Sequence, residues 1–401
     1  FHSVRESDYN KILKVFNTYL KGDKIIWMVV LFLVIFSILS VYSSISSLAV
    51  KNRDGNTEFY LARHVVMLGI GLVGMYQMHR INFRYFSRFA QLLIWLTIPL
   101  LAFTLFKGTS INNANRWITI PFINTSFQTS DFAKLILILY VSRILAVNHE
   151  NLRDKKRVLS PILVVTGVVC GLIFPANFST AALLFLSCFA LMFMAGIPIT
   201  YLMTIVGSGV AVVGLLYVLS STNPDLLPRL STWKARIENF DSQESQVNYQ
   251  AEHAKYAIAA GGILPNGPGK GISRNFLPHP YSDMIYAFII EEYGSLLGGF
   301  FVMLLYFILF FRSVKIGLKC SKPFGAYAAI GLSLMLLLQA LVNMAVSVNL
   351  IPVTGQPLPL ISLGGTSTIL TCVTIGVILS ISRNVYPDTQ DEKKEEAYGL
   401  A

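Results

Sequence analysis

The sequence predicts an all-α polytopic membrane protein with ten transmembrane helices. Three observations carry this. The 401 residues are 54% hydrophobic and 13% charged, against about 25% charged in soluble domains. Apolar runs of roughly 20 residues, the length that crosses a bilayer as a helix, recur from end to end. Lys and Arg gather between alternate runs instead of spreading evenly.

In order, residues 1–24 read as a polar, basic cytoplasmic tail. Apolar spans are expected at 25–49, 61–78, 87–106, 131–147, 159–175, 178–196, 199–220, 284–311, 325–350 and 361–382. The membrane domain is thus 25–382, and a charged tail, 383–401, follows it. An even number of spans puts both termini on one side. The basic groups Arg5 to Lys24, Arg80 to Arg88, Arg143 to Arg157, Arg312 to Lys322 and Arg383 to Lys394 all fall on that side. The positive-inside bias makes it cytoplasmic. The net charge of +11 is therefore a topology signal with scope for contact with anionic membrane lipid, and nucleic-acid binding is not expected. Cys170, Cys188, Cys320 and Cys372 show neither disulfide nor zinc spacing. No cleavable signal sequence is expected.

Two long loops then face outward, 107–130 and 221–283, the second between helices seven and eight. A loop that long is usually functional or structured. Its stretch 229–260 lacks Gly and Pro and reads as partly helical. From Gly261 it becomes GGILPNGPGKGISRNFLPHPYSD, then an apolar helix. The glycines Gly267, Gly269 and Gly271 allow close backbone approach to a ligand. A Walker A loop is excluded, because Leu264 and Gly271 stand where Gly and Ser or Thr are required. At the seam, Ser282 or Asp283 caps the helix, or Asp283 does chemistry; spacing leaves both open.

Glu291 and Glu292 follow one and a half to two and a half turns inside that helix, where they are expected to orient neighbouring helices or a basic partner such as Lys134, Arg116 or Arg63. Asp283 and Glu291 are separated by about 12 Å of helical rise, too far for a hydrolase carboxylate pair, which sits at about 5–9.5 Å. In the first outer loop, Arg116-Trp117 is an interfacial anchor or an anion clamp with an aromatic platform. After Gln128, Thr129 or Ser130 is expected to cap the fourth helix. Asp131 and Lys134 can pair at i, i+3, yet an ionisable Lys134 inside an apolar helix is also a functional candidate. Finally, Asn349, Pro352, Gly355, Gly364 and Gly365 break the backbone of an apolar region, as happens where a chain lines a cavity.

The stretches NANRWI…FQTSDFAK, GGILPNGPGKG…FLPHPYSDMIYAFIIEEYG and NLIPVTGQPLPLISLGGTS resemble the SEDS family (shape, elongation, division and sporulation), whose members include FtsW and RodA. The likeness covers roughly 25–382, and LPHPYSD is closer to division-type members of the Bacteroidota. The resemblance implies a peptidoglycan glycosyltransferase of the bacterial cytoplasmic membrane that polymerises lipid II on the outer face. It puts the essential acid on Asp283, the loop basic residue and Trp on Arg116 and Trp117, the fourth-helix Lys on Lys134, and the GxGxG loop on Gly267, Gly269 and Gly271. It implies a class B penicillin-binding protein and small bitopic divisome regulators as partners. Arg116, Lys134, Lys270 and Arg274 are then candidates to clamp pyrophosphate, with the Gly267–Gly271 backbone as a further donor. A magnesium or manganese ion could assist, but no ligand cluster demands one. The chain departs from the family's usual spelling at His279, at Thr129-Ser130-Asp131 and at Pro175-Ala176-Asn177-Phe178-Ser179-Thr180. A lipid II flippase, an elongation-type role and a non-catalytic scaffold are the alternatives.

Overall fold

The computed structural model describes residues 19–45, 57–111, 114–120, 125–222, 246–273, 276 and 281–386. Within these, twelve helices and one small sheet follow in order. Helix α1 spans Lys24–Ser44, α2 Thr57–Arg80 and α3 Phe83–Lys107. Strands β1 (Thr109–Ile111), β2 (Ala114–Ile120) and β3 (Thr125–Gln128) come next. Then follow α4 (Thr129–Val147), α5 (Ser160–Ile173, entered through a π-turn at Lys155–Leu159), α6 (Phe178–Met194), α7 (Ile199–Thr222) and α8 (Gln246–Gly261). The chain ends in α9 (Ile285–Tyr293), a π segment (Gly294–Phe300), α10 (Phe301–Lys319), α11 (Pro323–Ser347) and α12 (Thr366–Val385).

Among the described residues, seven stretches are long and apolar enough to cross a membrane, and α6 and the first half of α7 are shorter apolar helices. Helix α4 carries Asp131, Lys134 and Arg143 and sits inside the bundle, with most of its surface covered. Packing by neighbouring helices is what lets a span keep such charges. Side chains from α1 through α7 and from α9 through α12 form one continuous apolar core.

Three expectations change. The outer loop 107–130 is not irregular: β1, β2 and β3 form an antiparallel meander, with Trp117 opposite Gln128 and Ile118 opposite Phe127. The molecule is mostly helical but not all-α. Nor do the expected side-chain caps form. Helix α4 starts with Gln128 at its cap and α9 with Met284, neither making a side-chain cap bond. The single span expected at 284–311 is broken at Gly294, whose φ is +75°. A Cβ there would lie 2.6 Å from the Ile263 carbonyl oxygen, and Ser295 N–H donates to Gly262 at 2.9 Å. The outer loop backbone therefore lies against the helix at a point only glycine permits.

The end of the bundle away from the sheet is tied by a residue the sequence did not single out. Asp23 caps α1, its Oδ1 accepting from Ile25 N–H at 2.9 Å and Ile26 N–H at 3.2 Å. Its Oδ2 accepts a forked bond from the Arg312 guanidinium of α10, and its own N–H donates to Ser382 of α12 at 2.6 Å. The Asp23 side chain is fully buried. Removing one partner of a buried pair typically costs about 3–5 kcal/mol. Asp23→Ala is expected to lower the thermal midpoint in detergent by several degrees, whereas Arg157→Ala, which breaks the exposed pair with Asp154, leaves it unchanged within about a degree.

Candidate active site

Helices α11 and α12 are joined by the irregular segment 348–365. Backbone polar groups at membrane depth must be paired internally, and polar side chains of the surrounding helices do so here. Asn343 Nδ2 donates to the carbonyls of Asp283 at 2.9 Å and Gln356 at 2.8 Å. Gln339 Nε2 donates to Pro357 at 2.9 Å. The Tyr306 hydroxyl donates to Pro359 and Ser37 to Ile361 at 3.0 Å. Ser362 Oγ accepts from Leu358 N–H and donates to the Ser282 carbonyl, and Leu363 N–H donates to the Tyr281 carbonyl at 2.9 Å. Leu360 holds a φ of +68°. A buried leucine keeps that costly left-handed conformation only where its neighbours are fixed on both sides.

This stapling brings 281–283 beside the broken segment. The Asp283 carboxylate lies over Gly355, where a Cβ would stand 3.6 Å from Oδ2 and the φ of +69° also favours glycine. Ser282 Oγ donates to Asp283 Oδ1 at 2.7 Å. Asp283 thus faces a cavity and does not cap its helix.

The cavity measures about 470 Å³. Its walls include Arg116, Trp117 and Gln128 from the sheet, Tyr60, Arg63 and His64 from α2, Asn177 from the α5–α6 turn, and Gly355, Pro357, Gly364 and Gly365 from the broken segment. Arg116 Nε donates to the Ala176 carbonyl at 2.7 Å, so the sheet is latched to the α5–α6 turn and the guanidinium is held at the rim. Asp283 is the single carboxylate among the described lining residues. Burial, and then the nearby Asp283 charge and Tyr60, push the Tyr281 phenol above its ordinary range, so it stays a neutral O–H.

The predicted residues divide accordingly. Asp283, Ser282, Arg116, Trp117, Gln128, Gly355, Gly364 and Gly365 converge on the cavity; Asn349 and Pro352 are not among its lining residues. Lys134 is not there either. It is 4% exposed, paired with Asp131 at 2.7 Å and donating to Gln339 Oε1 at 2.9 Å. Through Gln339 it supports the Pro357 carbonyl, so it braces the wall from behind.

Gly267, Gly269, Lys270 and Gly271 also stand apart from the cavity, and Arg274 lies outside the described residues. The loop's N–H groups are occupied by the protein's own acids. Gly269 N–H donates to Glu292 Oε1 at 2.8 Å, and Ile272 N–H, Ser273 N–H and Ser273 Oγ all donate to Glu291 Oε1 at 2.9–3.1 Å. Glu292 also accepts from Ser43 of α1. Glu292 thus reaches a neighbouring helix, one of the two roles expected for this pair, and both acids also pin the glycine-rich loop to α9. Within Gly267–Gly271, Gly269 N–H is taken by Glu292 Oε1, Gly267 N–H by the Glu292 carbonyl at 2.9 Å and Lys270 N–H by the Gly267 carbonyl at 3.3 Å, so three N–H groups of that stretch are committed within the protein.

Sequence reasoning missed Tyr60, Arg63 and His64 as cavity residues, and Asn343 and Gln339 as its braces. The signal was present. Tyr60, Arg63, His64 and Met67 recur at i, i+3, i+4 and i+7, one stripe of a helix, and amides inside apolar spans ask for partners.

The sequence matches the family described as cell cycle protein, FtsW/RodA/SpoVE, over residues 23–386. A probable peptidoglycan glycosyltransferase FtsW of Trichlorobacter lovleyi is 31% identical, with 90% of this chain and 93% of that protein aligned. Stage V sporulation protein E of Bacillus subtilis is 26% identical over 90% and 97%. Among solved structures, a chain from work on the structural coordination of polymerization and crosslinking by a peptidoglycan synthase complex superposes with a TM-score of 0.69 at 25% identity, covering 92% of this chain and all of that one. The rod shape determining protein RodA of Thermus thermophilus gives 0.66 at 23%, with the same coverage.

Two outcomes follow from the site's construction. Asn343→Leu strands the buried Gln356 carbonyl, worth about 1–3 kcal/mol, and the half-buried Asp283 carbonyl; it is expected to lower the stability of the half that holds the cavity and to loosen Tyr281–Asp283, seen as faster amide exchange there with α10 unchanged. Glu291→Ala releases three donors at once, and exchange at Ile272 and Ser273 is expected to rise at least about tenfold, while Glu252→Ala on α8 does not change it.

Proposed function

The chain belongs to the FtsW, RodA and SpoVE family of cell cycle proteins, and on that premise we propose that the cavity around Asp283 polymerises lipid II. The protein is a peptidoglycan glycosyltransferase. The observation that carries the site assignment is Asp283 itself: the lone carboxylate among the described lining residues, held by Ser282 and set against broken glycine backbone.

In this reading the 4-hydroxyl of a GlcNAc unit attacks C1 of MurNAc in a second lipid-linked disaccharide. The C1–O bond to undecaprenyl pyrophosphate breaks as the new bond forms. Asp283 takes the hydroxyl proton, and the α-linked donor becomes a β-1,4 product. Arg116 and Arg63, the cations lining the same cavity, balance the charge that develops on the departing pyrophosphate. Trp117 offers a sugar an aromatic face, with Tyr281 and Gln128 as neutral hydrogen-bonding neighbours. One carboxylate facing two arginines does not make a site for magnesium or manganese, and no group of three or more His, Cys, Asp or Glu suited to a metal occurs among the described residues.

The wider reading has ten membrane spans over 25–382, the seven long stretches joined by α4, α6 and α7. Both termini are cytoplasmic by the distribution of Lys and Arg, the cavity opens outward from the cytoplasmic membrane, and 221–283 is the large outer loop. The division role follows the FtsW relatives. A class B penicillin-binding protein and small bitopic regulators are the expected partners, in keeping with the synthase complex whose chain this one resembles. A flippase reading would need Glu291 and Glu292 as mobile carriers, and both are engaged in holding a loop.

The test is polymerisation of purified lipid II in detergent together with the transpeptidase partner. Asp283→Asn is expected to cut the initial rate by about 100-fold to 10,000-fold with folding and partner binding retained. Strands made at the wild-type rate would remove Asp283 from the chemistry, and lipid II movement across vesicles without strands would favour a flippase.

A further inference from the structure

A second cavity lies at the opposite end of the bundle, between the start of α3, the end of α4 and the start of α11. It measures about 340 Å³ and is lined by Phe83, Arg84, Ser87, Ala146, Val147, Lys322, Pro323 and Phe324. These helix ends point away from the reaction site: α3 leads outward into β1, α4 descends from β3, and α11 rises to the broken segment. The cavity therefore opens on the basic face.

Its two halves differ in character. Arg84 and Lys322 are exposed, and among the described residues neither has a carboxylate partner. Other cations of this face are already engaged: Arg143 donates to Ser87 Oγ at 2.7 Å, Lys319 sits over the Tyr386 ring at 5.0 Å, and Lys155 over Tyr201 at 4.6 Å. Arg143 thus stands behind the cavity, bonded to its lining residue Ser87. The carbonyl end of α4, which would repel an anion, is quieted by Asn148, whose Nδ2 donates to the Ile144 carbonyl at 2.9 Å. The other half is apolar. Phe83 and Phe324 form a buried floor, brought together because Gly325 carries no Cβ; one there would lie 3.0 Å from the Phe83 ring. Val147 is 68% exposed and makes an open, greasy side wall.

A cationic mouth at the membrane surface beside an apolar wall matches a phosphate headgroup with an acyl chain attached. We propose that this cavity binds an anionic phospholipid of the cytoplasmic leaflet, its phosphate between Arg84 and Lys322 and a chain along Val147 and Phe324. Charge complementarity chooses this occupant over a zwitterionic lipid, and the apolar wall chooses it over a free phosphate ester. The site is separate from the polymerisation cavity and does not depend on how that cavity works.

Native mass spectrometry of the full-length protein in detergent tests this, with phosphatidylglycerol and phosphatidylcholine of equal chain length and with glycerol 3-phosphate as the chainless headgroup. Phosphatidylglycerol is expected to bind more tightly than phosphatidylcholine and to resist displacement by glycerol 3-phosphate. The double variant Arg84→Gln, Lys322→Gln is expected to weaken it about 30-fold, the effect of losing two charges at a membrane surface. Val147→Asn is expected to weaken it a fewfold, while Arg153→Gln with Lys156→Gln, removing equal charge elsewhere on the same face, changes it less than about threefold. Equal losses from the two double variants would reduce the effect to diffuse charge and overturn the site. Equal affinity for the two lipids, or displacement by glycerol 3-phosphate at matched concentration, would overturn the assigned occupant.

Discussion

The outer half of the molecule depends on one amide. Asn343 is buried in an apolar helix, and its Nδ2 serves the carbonyls of Asp283 and Gln356 together. Those two chain segments are 73 residues apart, and neither can satisfy its own backbone, because one is a turn before a helix and the other a run of prolines and glycines. Lipid offers no alternative partners. The wall of the Asp283 cavity exists only where such side chains supply the bonds that helices would otherwise make internally. Gln339, Ser362, Tyr306 and Ser37 extend the same logic along 357–361.

Electrostatics obeys a similar economy. Most carboxylates inside the described bundle are committed to the protein's own donors: Asp23 to Arg312 and a helix start, Asp131 to Lys134, Glu291 and Glu292 to loop N–H groups. Asp283 differs. Its carboxylate receives a short local bond from Ser282 and otherwise faces a cavity with arginines on its walls. A carboxylate so placed can take up a proton during a reaction without dismantling the fold, which the structural acids cannot.

Much of this was legible in the sequence. Apolar run lengths located the helices because a bilayer core fixes how long a span must be. Broken backbone between Asn349 and Gly365 announced a cavity wall because irregular chain at depth needs protein around it. Asp283, Arg116 and Trp117 were legible from motif likeness, and their convergence was not, since it rests on long-range bonds such as Arg116 to Ala176. The glycine-rich loop misled for a physical reason. A chain rich in N–H groups and free of side chains suits an external anion and an internal carboxylate equally, and local sequence does not say that Glu291 and Glu292 arrive there first. For Lys134 the sequence left two readings, and the i, i+3 pair with Asp131 is the one seen. Asp23 was hidden in a polar tail, and Arg63 in a helix whose amphipathic stripe is short.

The interruption at Gly294 has a mechanical meaning. A continuous helix from Ile285 to Lys319 would be a stiff rod, transmitting any displacement at Asp283 to Arg312 and the buried ion pair at the inner surface. The π segment divides that rod. Its upper piece is fastened to the glycine-rich loop through Glu291 and Glu292, its lower piece to α1 and α12 through Asp23. Strain arising at the cavity end can then stop at Gly294 while the Asp23–Arg312 anchor stays seated. The bundle gains compliance beside the Asp283 cavity and keeps rigidity where its helices are tied together.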